Sequence, residues 1–98
     1  MRVRARKDAN HAEIVRVIRD LGAQVIDIAP LGKGIPDLLV TTGNKTVLIE
    51  VKDGNKPPSH QALTEDEKEF HATWKGELYI INSIDSAIRL INEIRKQK

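Results

Sequence analysis

GIPDLLVTTGNKTVLIEVKDG, residues 34–54, decides how this chain folds. Two runs rich in Leu, Val, Ile and Thr flank Gly43-Asn44, a two-residue connection of the kind that takes positive φ and closes a β-hairpin. The spacing predicts strands over Asp37–Thr42 and Lys45–Lys52. A hairpin turning at Gly43-Asn44 pairs residues whose numbers sum to 87, as those of Asp37 and Glu50 do. Residues two apart on a strand share a face, so Glu50 and Lys52 project together. Two carboxylates are therefore held side by side at one end of a sheet, with a lysine just beyond them.

Upstream of the hairpin, Ile14, Val17, Ile18 and Leu21 recur at three- and four-residue steps. That is the period of an amphipathic helix, predicted over Asn10–Leu21 with Gly22 placed to end it. Ala23–Ala29 (AQVIDIA) reads as a strand, and Pro30–Pro36, with two glycines and two prolines, as a loop. Downstream, Gly54–Ala62 (GNKPPSHQA) is expected to be a polar loop. Thr64 with Glu67 forms a capping box opening a helix to about Lys75, which Gly76 stops. Glu77–Asn82 has the near-continuous apolar run of a strand buried on both faces. Ser83 caps a last helix, in which Ile84, Ala87, Ile88, Ile91 and Ile94 mark one stripe. A hairpin joined to a strand that returns through a helix predicts an α/β fold, a mixed central sheet flanked by helices.

The length of 98 residues leaves room for one core, so residues 1–98 are expected to form a single domain. Aromatics are only 3% of the chain, so that core must be built from Ile, Val and Leu. Cysteine is absent, which excludes disulfides, thiolate metal sites and thiol nucleophiles. No apolar run approaches the ~20 residues of a membrane span, and the N-terminus carries no apolar signal core. The expectation is therefore no membrane partner and a cytoplasmic location. The formal net charge is +2, unevenly spread. Arg2, Arg4, Arg6 and Lys7 make a basic arm over residues 1–8, and Arg95, Lys96 and Lys98 a basic tail over 95–98. Such clusters attract phosphate, although tails are also basic simply for solubility.

Adjacent carboxylates repel, and leaving Asp37 and Glu50 bare would cost stability. A hard divalent cation such as Mg²⁺ or Mn²⁺ resolves this, because it takes oxygen ligands and keeps waters for substrate. Asp37, Glu50 and the Val51 carbonyl between the two hairpin positions are the candidate ligands. Lys52 is the candidate to position a water or to neutralise charge developing on a phosphoryl group. The plainer reading is a Glu50–Lys52 surface ion pair and an Asp37 that merely edges a strand. The apolar VLIEV context argues against it, since a buried strand end is an expensive place for bare charge.

Pro36-Asp37 followed by Glu50-Val51-Lys52 resembles the PD-(D/E)XK nuclease motif, in the helix, three-strand, helix, strand order of that superfamily. More narrowly, GIPDLLV, LIEVKDG, the KPPS loop and LTEDEKEF look like the VRR-NUC branch, over about residues 8 to 92. The resemblance implies a restriction-endonuclease-like αβββαβ(α) core and Mg²⁺- or Mn²⁺-dependent hydrolysis of DNA phosphodiesters. For stand-alone bacterial or phage members it also implies a homodimer acting on branched DNA such as a Holliday junction. Family members often carry an acidic residue on the first helix that completes the metal site, and Glu13 holds that place here. Many have a glutamine early in the helix after the KPPS-like loop, where this chain has Glu67.

Lys33, Lys56 and His60 join the basic arm as expected nucleic-acid contacts. His11 and His71 are expected to do nothing beyond packing or solvation, and Trp74 to lie in the core or a dimer interface. The alternative to an endonuclease is a catalytically inactive nuclease fold that only binds nucleic acid. The intact Asp37, Glu50 and Lys52 set counts against it.

Overall fold

The computed structural model describes residues 9–97. Its elements are α1 (His11–Asp20), β1 (Gln24–Asp27), a 3₁₀ turn (Ala29–Leu31), β2 (Leu38–Thr42), β3 (Lys45–Val51), α2 (Pro58–Gln61), α3 (Glu65–Thr73), β4 (Leu78–Ile81) and α4 (Ile84–Lys96). The expected hairpin forms in the expected register. Leu38 pairs with Ile49, Val40 with Val47 and Thr42 with Lys45. Its turn places the positive φ on Gly43 (+59°), the glycine-first arrangement that suits the twist of a two-residue hairpin.

The four strands lie in the order β1-β2-β3-β4. β1, β2 and β3 run antiparallel, and β4 joins β3 in parallel after the α3 crossover, so the sheet is mixed as predicted. Strand alternation sorts the side chains. Val25, Leu38, Val40, Val47, Ile49, Val51 and Ile81 point to the face covered by α1 and α4. Ile14 and Ile18 of α1 and Ala87, Ile91 and Ile94 of α4 complete this core. Leu39, Leu48, Glu50 and Ile80 alternate with those positions and so belong to the opposite face, toward which α3 brings Glu67.

Several elements depart from the sequence reading. β1 stops at Asp27 instead of Ala29: the Ile28 N–H makes a last bond to the Asp37 carbonyl, and the chain then tightens into the 3₁₀ turn, where the Ala29 N–H bonds Asp27 Oδ1. Residues 58–61 are helical where a loop was expected; Pro58 at the first helical position needs no N–H partner. β4 is an edge strand with Ile80 51% exposed, not a strand buried on both faces. Its apolar run is longer than its one covered face requires. Trp74 is exposed rather than in the core and stacks on Phe70 with ring centroids 5.2 Å apart. Arg95 spends its donors within the fold, Nε on Thr42 Oγ1 at 2.8 Å and Nη2 on the Leu21 carbonyl, so it ties α4 to the hairpin tip.

Candidate active site

The open end of the hairpin gathers the charged residues that the motif singled out. Strand alternation turns Glu50 away from the Ile49 and Val51 side chains that enter the core. Asp37 immediately precedes β2, where its side chain ends the ladder: Oδ2 accepts the Val51 N–H at 2.8 Å. The ladder cannot continue past this point. The register sets Pro36 opposite Val51, and proline has no N–H to give the Val51 carbonyl. The same carbonyl faces the β2 side of the strand, since the N–H groups of Leu48 and Lys52 face β4. Proline and aspartate in sequence thus stop the pairing, cap one amide and leave one carbonyl beside a carboxylate.

Glu50 is 3% exposed, and its Oε1 is buried without a hydrogen-bond partner. Burial first, then the Asp37 and Glu67 charges, push its carboxyl up to about 9. Burial also raises Asp37, opposed by the Val51 N–H bond, by a bond with Glu50 and by the nearby His11. Each of the two carboxyls acts on the titration of the other. Lys52 is 7% exposed; its Nζ donates to Glu67 Oε1 at 2.8 Å and lies 3.7 Å from Glu50 Oε2. Burial pushes Glu67 up as well, but its bonds from Lys52 and the Thr64 N–H outweigh this and hold it below its ordinary value.

α3 is seated on the loop that leads into Asp37. Gly32, Lys33 and Gly34 all have positive φ, and a Cβ on Gly34 would come within 2.4 Å of the Asp66 carbonyl oxygen. Only glycine permits that approach. On the other side, Asn10 Nδ2 donates to the Lys52 carbonyl at 3.1 Å, joining the start of α1 to the end of β3.

Asp37, Glu50, Val51 and Lys52 therefore meet as expected, and the donor set suits a hard divalent cation. Two carboxylates lie at one strand end, Glu50 has an orphaned oxygen, and the Val51 carbonyl faces the side of β3 on which Asp37 lies. Glu13 is not brought into the group. Among the described residues no cluster of three His, Cys, Asp or Glu could hold a metal ion. Glu13 is exposed and faces a separate polar hollow with Asn10, Asn55, Asn82 and Asp85.

Lys33, Lys56 and His60 are all exposed, Lys33 on the loop that enters β2, Lys56 on the loop that leaves β3 and His60 on the short α2 that follows it. Arg2, Arg4, Arg6 and Lys7 lie outside the described residues. Two residues that the sequence reading set aside belong near the site. His11 is 3% exposed, holds Asp27 Oδ2 at 2.8 Å through Nε2, and is close enough to Asp37 to bias its charge. His71, one turn beyond Glu67 on α3, feels both Glu67 and Lys52. Helical spacing from Glu67 was the available signal for His71; His11 had none, because only tertiary packing brings α1 to the hairpin.

No protein-family model and no curated protein matches the sequence. Among solved structures, the fold is similar to one described as a VRR_NUC domain, at 26% identity and a TM-score of 0.54. The likeness covers 83% of this chain and 92% of that one. The chain thus has a VRR_NUC-like, nuclease-type fold.

Proposed function

We propose that this protein is a metal-dependent endonuclease that hydrolyses DNA phosphodiester bonds at Asp37, Glu50 and Lys52. The observation that carries the reading is the Asp37–Glu50 pair: two adjoining, partly desolvated carboxylates at a strand end, with a buried lysine within 4 Å of one of them. Such an arrangement costs stability and is found where charge is put to chemical use. The VRR_NUC-like fold supports the same reading.

Asp37, Glu50 and the Val51 carbonyl would hold Mg²⁺ or Mn²⁺. When bound, the ion supplies Lewis acidity at the phosphoryl group and acidifies water. The protein's own contribution is positional. The Val51 N–H fixes the Asp37 carboxylate, and the sheet fixes Glu50 beside it. Lys52 places a positive charge where negative charge develops on the phosphate as water attacks phosphorus and the P–O bond to the leaving group breaks. Lys33, Lys56 and His60, with the basic arm, would carry the DNA backbone.

Branched DNA, a four-way junction in particular, is the proposed substrate, and a homodimer the proposed working unit. One small domain offers one such site, whereas a two-fold junction presents two equivalent strands. The last-helix stripe is committed to the core through Ile91 and Ile94, and the Trp74 and Ile80 side is the surface we propose for self-association; Ile26 and Leu31 are exposed as well.

The test is cleavage of labelled linear, flapped and four-way DNA with Mg²⁺ or Mn²⁺, alongside folded Glu50→Ala. Metal-dependent cutting by the parent and none by the variant is expected. Binding without cutting would favour a nucleic-acid-binding module instead. Light scattering, alone and on a junction, reports the dimer.

A further inference from the structure

Lys52 does not hold its place by packing alone. Its ammonium is bonded to Glu67 Oε1 at 2.8 Å, and that same oxygen accepts the Thr64 N–H at 2.9 Å. In return the Glu67 N–H donates to Thr64 Oγ1 at 3.2 Å, which closes the capping box of α3. One oxygen atom therefore serves two partners: the first turn of a helix, and the lysine of the candidate site just past the end of β3, fifteen residues earlier. The helix turn is itself seated on the loop before Asp37, where Gly34 meets the Asp66 carbonyl.

We infer that Glu67 is the positioning residue for Lys52, and that what the site requires at residue 67 is an acceptor oxygen at Oε1 rather than a negative charge. The inference rests on the nuclease reading for the part Lys52 plays, and on the bond geometry alone for where Lys52 is held. A carboxylate held by a lysine and a main-chain N–H through one oxygen can be replaced by an amide whose carbonyl takes that oxygen's place. Both bonds survive the exchange, and the amide nitrogen takes the position of the second oxygen. A methyl group or an apolar side chain keeps neither bond. Lys52 would then lose its 2.8 Å bond and retain the longer, 3.7 Å contact with Glu50, the candidate metal ligand. Glu67 thus holds the lysine more closely than Glu50 does.

The experiment compares Glu67→Gln, Glu67→Ala and Thr64→Ala with the parent in two assays. The first is metal-free reductive methylation of lysines, followed residue by residue by mass spectrometry. The second is steady-state cleavage with saturating Mg²⁺. In Glu67→Ala, Lys52 methylation should quicken at least fivefold and kcat fall at least tenfold with KM within threefold of the parent. Glu67→Gln should stay within threefold of the parent in both. Thr64→Ala should melt earlier yet leave Lys52 methylation at the parent rate, because the Glu67–Lys52 bond does not use the hydroxyl. Parent-like methylation in Glu67→Ala overturns the inference. So does a Glu67→Gln protein that behaves like Glu67→Ala, since charge would then be what matters. If the parent cuts no DNA, the methylation results still decide whether Glu67 holds Lys52, and only the nuclease reading falls.

Discussion

Asp37 Oδ2 accepts the main-chain N–H of Val51 at 2.8 Å, so a candidate metal ligand doubles as the last rung of the hairpin. The two duties separate by substitution. Asp37→Asn retains an oxygen for the Val51 N–H and loses the charge, whereas Asp37→Ala loses both. Asp37→Ala should be destabilised by about 1–3 kcal/mol relative to Asp37→Asn, the usual cost of an orphaned buried donor. Both should lack cleavage activity, by at least ~100-fold. Urea unfolding and a gel assay on the same preparations check the two halves.

Glu50 predicts an unusual pH dependence of stability in metal-free protein. Its carboxyl ordinarily titrates at 4.5 and is pushed up to about 9 in the fold, chiefly by burial. A raised pKa means that the folded state keeps its proton where the unfolded chain has lost it. The stability from this group is fully present below 4.5 and is lost as pH rises through about 9. Metal-free protein should therefore weaken steadily across neutral pH. Glu50→Gln should flatten most of that decline and stabilise the protein near pH 8 by on the order of 2 kcal/mol. Melting curves from pH 5 to 9 in EDTA measure it; parallel declines in parent and variant would place the titrating group elsewhere.

Lys52 lies close to Glu50 and Glu67 and is not a candidate metal ligand. Lys52→Ala should accordingly lose activity by roughly the 10²–10³ that removing one stabilising group at developing charge costs, while Mn²⁺ binding by calorimetry persists. Loss of metal binding in a folded variant would contradict this division of roles.

Glu13, expected from the family resemblance to complete the metal site, faces a different hollow. Glu13→Gln should leave the Mg²⁺ concentration for half-maximal cleavage unchanged. An upward shift would mean that α1 moves when metal or DNA binds.

The basic arm makes a prediction that depends on charge alone. Replacing Arg2, Arg4, Arg6 and Lys7 with Ala should weaken binding to duplex DNA and reduce the slope of log K against log salt. The slope should fall by up to ~0.9 for each phosphate that the arm no longer neutralises. Equal slopes for arm variant and parent would show a solvated tail.

The hairpin register was determined by the sequence, because Gly43-Asn44 fixes the turn and a two-residue turn leaves one pairing for every residue in the strands. That is enough to bring Asp37 and Glu50 together and to set Lys52 beyond them. The capping box at Thr64, the cap at Ser83 and the apolar stripes of α1 and α4 were legible for the same reason: each depends on residues a few turns or less apart. Pairings made across long stretches of chain were decided only by the tertiary structure. Whether the first helix presents Glu13 or His11 to the hairpin depends on its rotation about its own axis, and packing of Ile14 and Ile18 settles that in favour of His11. Glu67 reads in sequence as a capping partner of Thr64, at a place where the resembled family often has glutamine. Its bond to Lys52 exists because the loop at Gly34 lets the start of α3 settle against the strand end, an approach in space that no local periodicity encodes.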